Sequence, residues 1–304
     1  ADGTTLAEAE LQLHRTRSLI ATYAADQGAI FAATGTPFIS PNRHIVSSSP
    51  HYDAVSAQLV EITREHEVNG LHIHVEVTDD EERVRALNRV RAWLPAVLAL
   101  TGNSPFAHGR ESGFASWRSI LIRRLPSSWS PPHFADLDEY RAHLAQLVSM
   151  GAIAEESSLS WTVRLSERFP TVEVRVFDAQ LTVDDTLLAT ALTRALIVSD
   201  GLDGLPPLGL GTIDASLWTA ARYGPDARLV DPSSGESEPA ATVIDDLLRR
   251  LRPALVHLGD EDLVTESVAR IRSEGTGAQR QRRAYTHGGT AELRDLYRTS
   301  TANR

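Results

Sequence analysis

The sequence predicts an α+β fold, an antiparallel sheet with helices packed on one side. Two separated segments, 70–77 and Thr171–Asp178, place apolar residues at every second position, the period of a strand with one face buried. Longer stretches repeat apolar residues at helical spacing, and the last third of the chain is mainly helical. The order of these elements points to helices gathered on one face of the sheet.

Taken in order, Leu6–Asp26 has Leu6, Ala9, Leu13, Ile20 and Ala24 on one helical face. Residues 29–34 read as a short apolar strand stopped by Gly35-Thr36-Pro37, followed by a polar loop over 37–50. A second helix covers 51–67. A long helix over 80–100 opens with acidic residues that suit its dipole, and Pro95 is expected to kink it. Residues 101–132, rich in Gly, Ser, Pro and Arg, are expected to form an irregular binding or lid loop. A helix over 134–150 and a strand over 158–165 lead to the second alternating strand. The helix over 182–199 opens on a capping-box pattern, Thr182-x-x-Asp185. A Gly/Pro turn region spans 201–211, and helices follow at 212–223, 241–258, 261–273 and 289–298.

The two alternating strands carry the candidate chemistry. One face of the first holds His72, His74 and Glu76; one face of the second holds Thr171, Glu173, Arg175 and Phe177. Imidazole, carboxylate and guanidinium groups on an open sheet face suit divalent metal and phosphate. Composition narrows the field further. The net charge of −10 argues against a general nucleic-acid binder, and 92–100, the nearest approach to a membrane span, is too short. Cysteine is absent, which excludes disulfides and thiolate chemistry. All 30 basic residues are arginine, so Schiff-base chemistry and a phosphate-binding lysine are excluded. Arginine and metal must then carry any phosphate charge. No secretory signal opens the chain, and a cytoplasmic location is expected.

Several segments together resemble the carboxylate–amine ligases of the glutamate–cysteine ligase type 2 family. Gly70-Leu71-His72-Ile73-His74-Val75 resembles its G-x-H-x-H-V strand. Leu98-Ala99-Leu100 with Asn103-Ser104-Pro105-Phe106 resembles its A-L-x-x-x-S-P-[FY] segment, and Ser116-Trp117-Arg118 its S-x-R loop. Trp161-Thr162-Val163-Arg164 and Thr171–Asp178 are similar to its W-D-x-R and T-V-E-V-R-x-x-D strands. Ala220-Ala221-Arg222-Tyr223-Gly224 and the Arg-rich segment 275–282 extend the match. Glu76 stands where the family has Gly, and Thr162 where it has Asp.

The resemblance implies a curved, glutamine-synthetase-like sheet whose concave face holds ATP and Mg²⁺, in one ligase catalytic domain over 1–304 with 212–304 its helical C-terminal part. It implies phosphorylation of a carboxylate, such as the side-chain carboxylate of glutamate, and displacement of phosphate by an amine such as cysteine. By the same resemblance His72 and Glu173 hold metal, Arg164, Arg175 and His74 contact the nucleotide, and Arg175 and Arg118 act on the reacting groups. Arg118, on a flexible loop, is expected to clamp a substrate carboxylate. The Arg280, Arg282 and Arg283 cluster is expected to be a solvated helix end, with nucleotide contact as the alternative. Nothing matches the family's N-terminal G-x-E-x-E strand, and the only methionine is Met150. The chain is therefore expected to be N-terminally incomplete, its sheet completed by an upstream segment or another chain, with a homo-oligomer as the expected assembly. The rival expectations are a non-catalytic binding or regulatory subunit and a nucleotide-independent metal hydrolase.

Overall fold

The protein is described by a computed structural model covering residues 5–40, 50–64, 66–127 and 129–301, with backbone alone for 50–52 and 54. The polar loop expected over 37–50 lies largely outside these residues.

Helix α1 (Leu6–Asp26) opens on a complete capping box, with Glu8 N–H donating to Thr5 Oγ1 and Thr5 N–H to a Glu8 carboxylate oxygen. Residues 29–34 are not a strand. Their neighbours are single tethers: Thr34 Oγ1 donates to the Asn103 carbonyl at 2.7 Å, and Gly35 N–H donates to the same oxygen at 3.2 Å. An apolar run without a ladder partner stays irregular. The helix expected over 51–67 is two helices, α2 (Pro50–Leu59) and α3 (Glu61–Arg64), separated by Val60 at φ 46°.

Strand β1 (Gly70–Glu76) is followed by α4 (Asp80–Thr101), capped by Asp79 accepting from Glu82 N–H at 2.7 Å. The helix continues through Pro95. From Leu94 to Thr101 every residue is buried, because strands cover one side of α4 and helices the others. Next come a small hairpin, β2 (Phe106–Ala107) with β3 (Arg110–Glu111), then α5 (Trp117–Ile122) and α6 (Leu137–Ser149). Strands β4 (Val163–Leu165) and β5 (Thr171–Asp178) complete the main sheet in the order β1-β5-β4, antiparallel throughout. Helix α7 (Val183–Val198) has the predicted capping box between Thr182 and Asp185. Helix α8 (Leu210–Tyr223) leads to a hairpin the sequence reading missed, β6 (Arg228–Val230) with β7 (Ser237–Pro239). Helices α9 (Ala240–Leu258), α10 (Glu261–Glu274) and α11 (Gly277–Thr301) end the chain, α11 breaking at Gly288 and Gly289. The helix expected at 289–298 is only its second limb.

The apolar faces of β1, β5 and β4 pack on α4 and α7, so the α+β arrangement with helices on one side holds. One detail of strand phase differs. Pairing runs Leu71↔Phe177 and then Ile73↔Val174, so β5 carries one extra residue at a bulge. The bulge turns Phe177, expected on the polar face, into the core, where it is fully buried.

The Gly/Ser/Pro-rich stretch 101–132 is not a lid. Asn103, Ser104, Ser116 and Arg118 are all buried, and Asp178 gathers the loop: Asn103 N–H and Ser104 Oγ donate to Oδ2 and Ser116 Oγ to Oδ1, at 2.7–2.8 Å. A loop this polar is held inside because its donors find one buried carboxylate.

Candidate active site

The register of the sheet explains why residues far apart in sequence meet. Glu173 pairs across β5 with His74 on one side and Arg164 on the other. Its carboxylate therefore lies between them, with Arg175 and His72 reaching it from neighbouring positions. Arg164 Nε donates to Glu173 Oε2 at 2.6 Å, and Arg175 donates to Oε1. His72 Nδ1 lies 3.2 Å and His74 Nε2 3.6 Å from Oε1. The fold brings His72, His74, Arg164, Glu173 and Arg175 together.

The electrostatics follow. Burial alone would raise the Glu173 pKa, but the hydrogen bonds of His72 and His74, the charge of Arg175 and the hydrogen bond of Arg164 outweigh it and hold the carboxyl far below its usual range. His72 is shifted the other way. Burial, with Arg175 and Arg118 nearby, lowers its pKa against the pull of Glu173, so the ring is neutral at pH 7. Arg175 Nη1 also lies 3.0 Å from His72 Nδ1. Nδ1 is therefore within hydrogen-bond reach of both Arg175 and Glu173, and the tautomer decides which of the two it engages.

Two cavities flank this cluster. One, of about 470 Å³, includes His74, Arg164, Glu173, Arg83, Arg141 and Arg168 in its lining. The other, of about 440 Å³, is bounded by His66, His72, Arg118, Arg175 and the apolar side chains of Ile122, Leu125 and Trp129. Arg118 belongs to the second cavity, but not as a flexible clamp. It is 4% exposed in the first turn of α5, and it donates to the carbonyls of Arg175 at 3.1 Å and Val176 at 3.4 Å. Its place depends on Gly70, where a Cβ would come within 2.5 Å of Arg118 Nη2.

The cluster is not a self-contained metal cage. Among the described residues no group of three or more His, Cys, Asp or Glu side chains is arranged to hold a metal ion. One buried, ionised carboxylate does suit magnesium in its usual mode, in which substrate phosphates and water supply most of the oxygens. Imidazole is a poorer magnesium ligand, so neutral His72 fits a phosphate oxygen better than the ion.

Elsewhere, Glu76 is exposed at the end of β1 and Thr162 is buried, both its N–H and its hydroxyl donating to the Trp129 carbonyl. The expected solvated cluster at the start of α11 is instead a set of locks. Arg280 pairs with buried Asp185, Arg282 donates to the Phe114 carbonyl at 2.7 Å, and Arg283 donates to the Glu274 carbonyl. Sequence reasoning missed His66, whose only signal is a lone imidazole between glutamates, and Trp129, which reaches the site from an irregular stretch. No helix among the described residues is long and apolar enough to cross a membrane.

With this geometry in hand, the comparisons are informative. The profile of the glutamate–cysteine ligase family 2 matches residues 3–299. A Mycobacterium sp. (strain KMS) protein provisionally named glutamate–cysteine ligase 2-2 is 39% identical over 298 residues, 96% of this chain and 81% of that one. A similarly named protein of Saccharopolyspora erythraea is 36% identical over 304 residues, covering 98% of this chain and 78% of its own length. Among solved structures, the glutamate–cysteine ligase of Francisella tularensis in complex with AMP superposes with a TM-score of 0.65 at 14% identity, over 89% of this chain and 72% of that one. The Pup ligase PafA in complex with ADP gives a TM-score of 0.54 at 13% identity, over 98% and 64%. At such identities these two likenesses speak to the fold, a glutamine-synthetase-like ligase fold.

Proposed function

Because this chain belongs to the glutamate–cysteine ligase family 2, we propose that it is an ATP-dependent ligase joining a carboxylate, such as the side-chain carboxylate of glutamate, to an amine. The observation that carries this reading is the Glu173 cluster, a single carboxylate between two guanidinium and two imidazole groups at the divide between two cavities. Cationic donors fixed before the substrates arrive stabilise charge that develops during phosphoryl transfer.

In the proposed reaction a carboxylate oxygen attacks the γ-phosphorus of ATP and the bond to the bridging oxygen of ADP breaks. The amine nitrogen then attacks the acyl carbon, phosphate leaves as the carbon–oxygen bond breaks, and one proton leaves the nitrogen. Arg164 and His74, in the arginine-rich cavity, face the nucleotide. Arg175 stands at the divide, where its planar fork donates to oxygens of the transferred phosphoryl group. His72 faces the same oxygens, and Arg118 binds a substrate carboxylate. Glu173 holds both arginines in register. A magnesium ion arriving with ATP would meet this carboxylate and disperse phosphate charge.

One observation favours a non-catalytic rival: both Glu173 oxygens are already engaged by arginine. The separating experiment is ADP release with Mg²⁺ across a panel of carboxylates and amines. Release that requires both substrates supports the ligase; nucleotide binding without release supports a binding subunit.

A further inference from the structure

The two cavities beside Glu173 differ in chemistry. The arginine-rich one also carries Glu156 and Glu167 and suits a polyanion held among mixed charges. The other has no acidic residue in its lining. Its polar lining is Arg118 and His66, with His72 and Arg175 toward the Glu173 cluster and the hydroxyls of Ser119, Ser160 and Thr162, and its apolar wall is Ile122, Leu125 and Trp129.

Two residues that line this second cavity each carry a buried polar atom with no hydrogen-bond partner among the described residues, Arg118 Nε and His66 Nδ1. Arg118 makes no ion pair with a described carboxylate, and burial pushes its pKa down to about 10. His66 is pushed down to about 4 by burial and by Arg124 and Arg118, so it is neutral. A buried cation with an open donor beside a neutral imidazole wants one anion with oxygen acceptors. The apolar wall rejects a second charge, because burying an unpaired ion is costly. At about 440 Å³ the space also exceeds what a three-carbon amino acid fills.

We propose that this cavity seats the amine acceptor, an amino acid whose carboxylate meets Arg118 and whose side chain is uncharged and apolar, lying against Ile122, Leu125 and Trp129. The inference rests on the ligase reading. A molecule anchored there can extend its amino group toward His72 and Arg175, which border both the cavity and the Glu173 cluster. A donor such as glutamate would put a second negative group against the wall, so it is the poorer occupant.

The test is calorimetric titration of the full chain, with a non-hydrolysable ATP analogue and Mg²⁺ present. The probes are L-leucine, leucinamide, L-lysine and L-glutamate. Leucine is expected to bind at least about tenfold more tightly than leucinamide and L-glutamate, and lysine not to bind. Ile122→Trp, which fills the cavity from a half-buried wall position, should weaken leucine binding at least about tenfold and change the ATP analogue's affinity by less than about twofold. Leu125→Trp fills it from another position should the first variant not fold. Equal binding of leucine and leucinamide, no leucine binding at all, or unchanged binding in a folded filling variant would overturn the proposal. So would tighter binding of glutamate that the filling variant abolishes, which would make this the donor pocket. If leucine binds as expected but no carboxylate and amine release ADP, the ligase reading fails while the carboxylate site at Arg118 stands.

Discussion

Strand β5 carries two buried carboxylates that behave in opposite ways. Glu173 is surrounded by Arg164, Arg175, His72 and His74, which hold its pKa far below the ordinary range despite burial. Asp178, near the other end of the strand, is fully buried, and burial raises its pKa even though Arg118, Asn103, Ser104 and Ser116 pull the other way. The donors decide the difference. Asp178 takes its hydrogen bonds from a backbone N–H and two hydroxyls, which satisfy the carboxylate and fasten the 101–132 loop to the sheet. Glu173 is met by full charges at the border of two cavities, where a substrate can compete for them. Asp185 marks a third case: it is buried between Arg270 and Arg280, which hold its pKa down, yet it bridges three helices and borders neither cavity beside Glu173. A strongly perturbed carboxylate is therefore not a site unless space adjoins it.

The comparison breaks first at Asp178. Asp178→Ala leaves three buried donors unpaired and should destabilise the protein by about 3–5 kcal/mol, read as a lower urea midpoint with the slope unchanged. A loss under about 1 kcal/mol would show that Asp178 is no latch.

Glu173→Gln should lower ADP formation by roughly 10²-fold, a loss larger than its effect on the urea midpoint. Near-normal turnover in the folded variant would remove Glu173 from the site. Arg175→Lys should follow with a loss of roughly tenfold or more, because a point charge cannot reach Glu173, His72 and a phosphate oxygen with fixed geometry. The check is kcat: a change confined to KM would make Arg175 a binding residue only.

The smallest effect is on pH dependence, and the two carboxylates predict opposite signs. The folded pKa of Glu173 lies below its unfolded value, so its contribution is complete above about pH 4 and drains away as pH falls below that. The folded pKa of Asp178 lies above its unfolded value, so its contribution favours folding at low pH and is lost as pH rises from about 4 toward the folded value. Stability of Glu173→Gln, measured by urea unfolding below pH 4, should therefore rise less steeply with pH than wild type, by up to about 1.4 kcal/mol per pH unit. An unchanged slope would mean that Glu173 does not titrate there.

Much of this was legible in the sequence because it is local. Alternation along 70–77 and Thr171–Asp178 marked the two site strands, the helix from Leu6 was legible in its apolar spacing, and the helix starts at Asp80 and Val183 announced themselves through charge and capping. The five side chains of the Glu173 cluster lie on strand positions whose direction the period of two dictates. The apolar run at 29–34 misled for the same reason: periodicity reports what a segment can form, while a strand needs a partner with free backbone groups.

What the sequence alone determined, then, was the list of reactive side chains and the face each prefers. Tertiary structure decided the rest. The register that sets Glu173 between His74 and Arg164, and the bulge that turns Phe177 inward, are properties of pairing between segments. Burial of the 101–132 loop came from a carboxylate at Asp178, more than sixty residues on by the span to Ser116 (178 − 116 = 62). The cavity at Arg118 needs walls from α5, from β5 and from Trp129, and a gap at Gly70, none of which a one-dimensional pattern records. Local chemistry is written along the chain, but the enclosure that gives it a use exists only where distant segments pack.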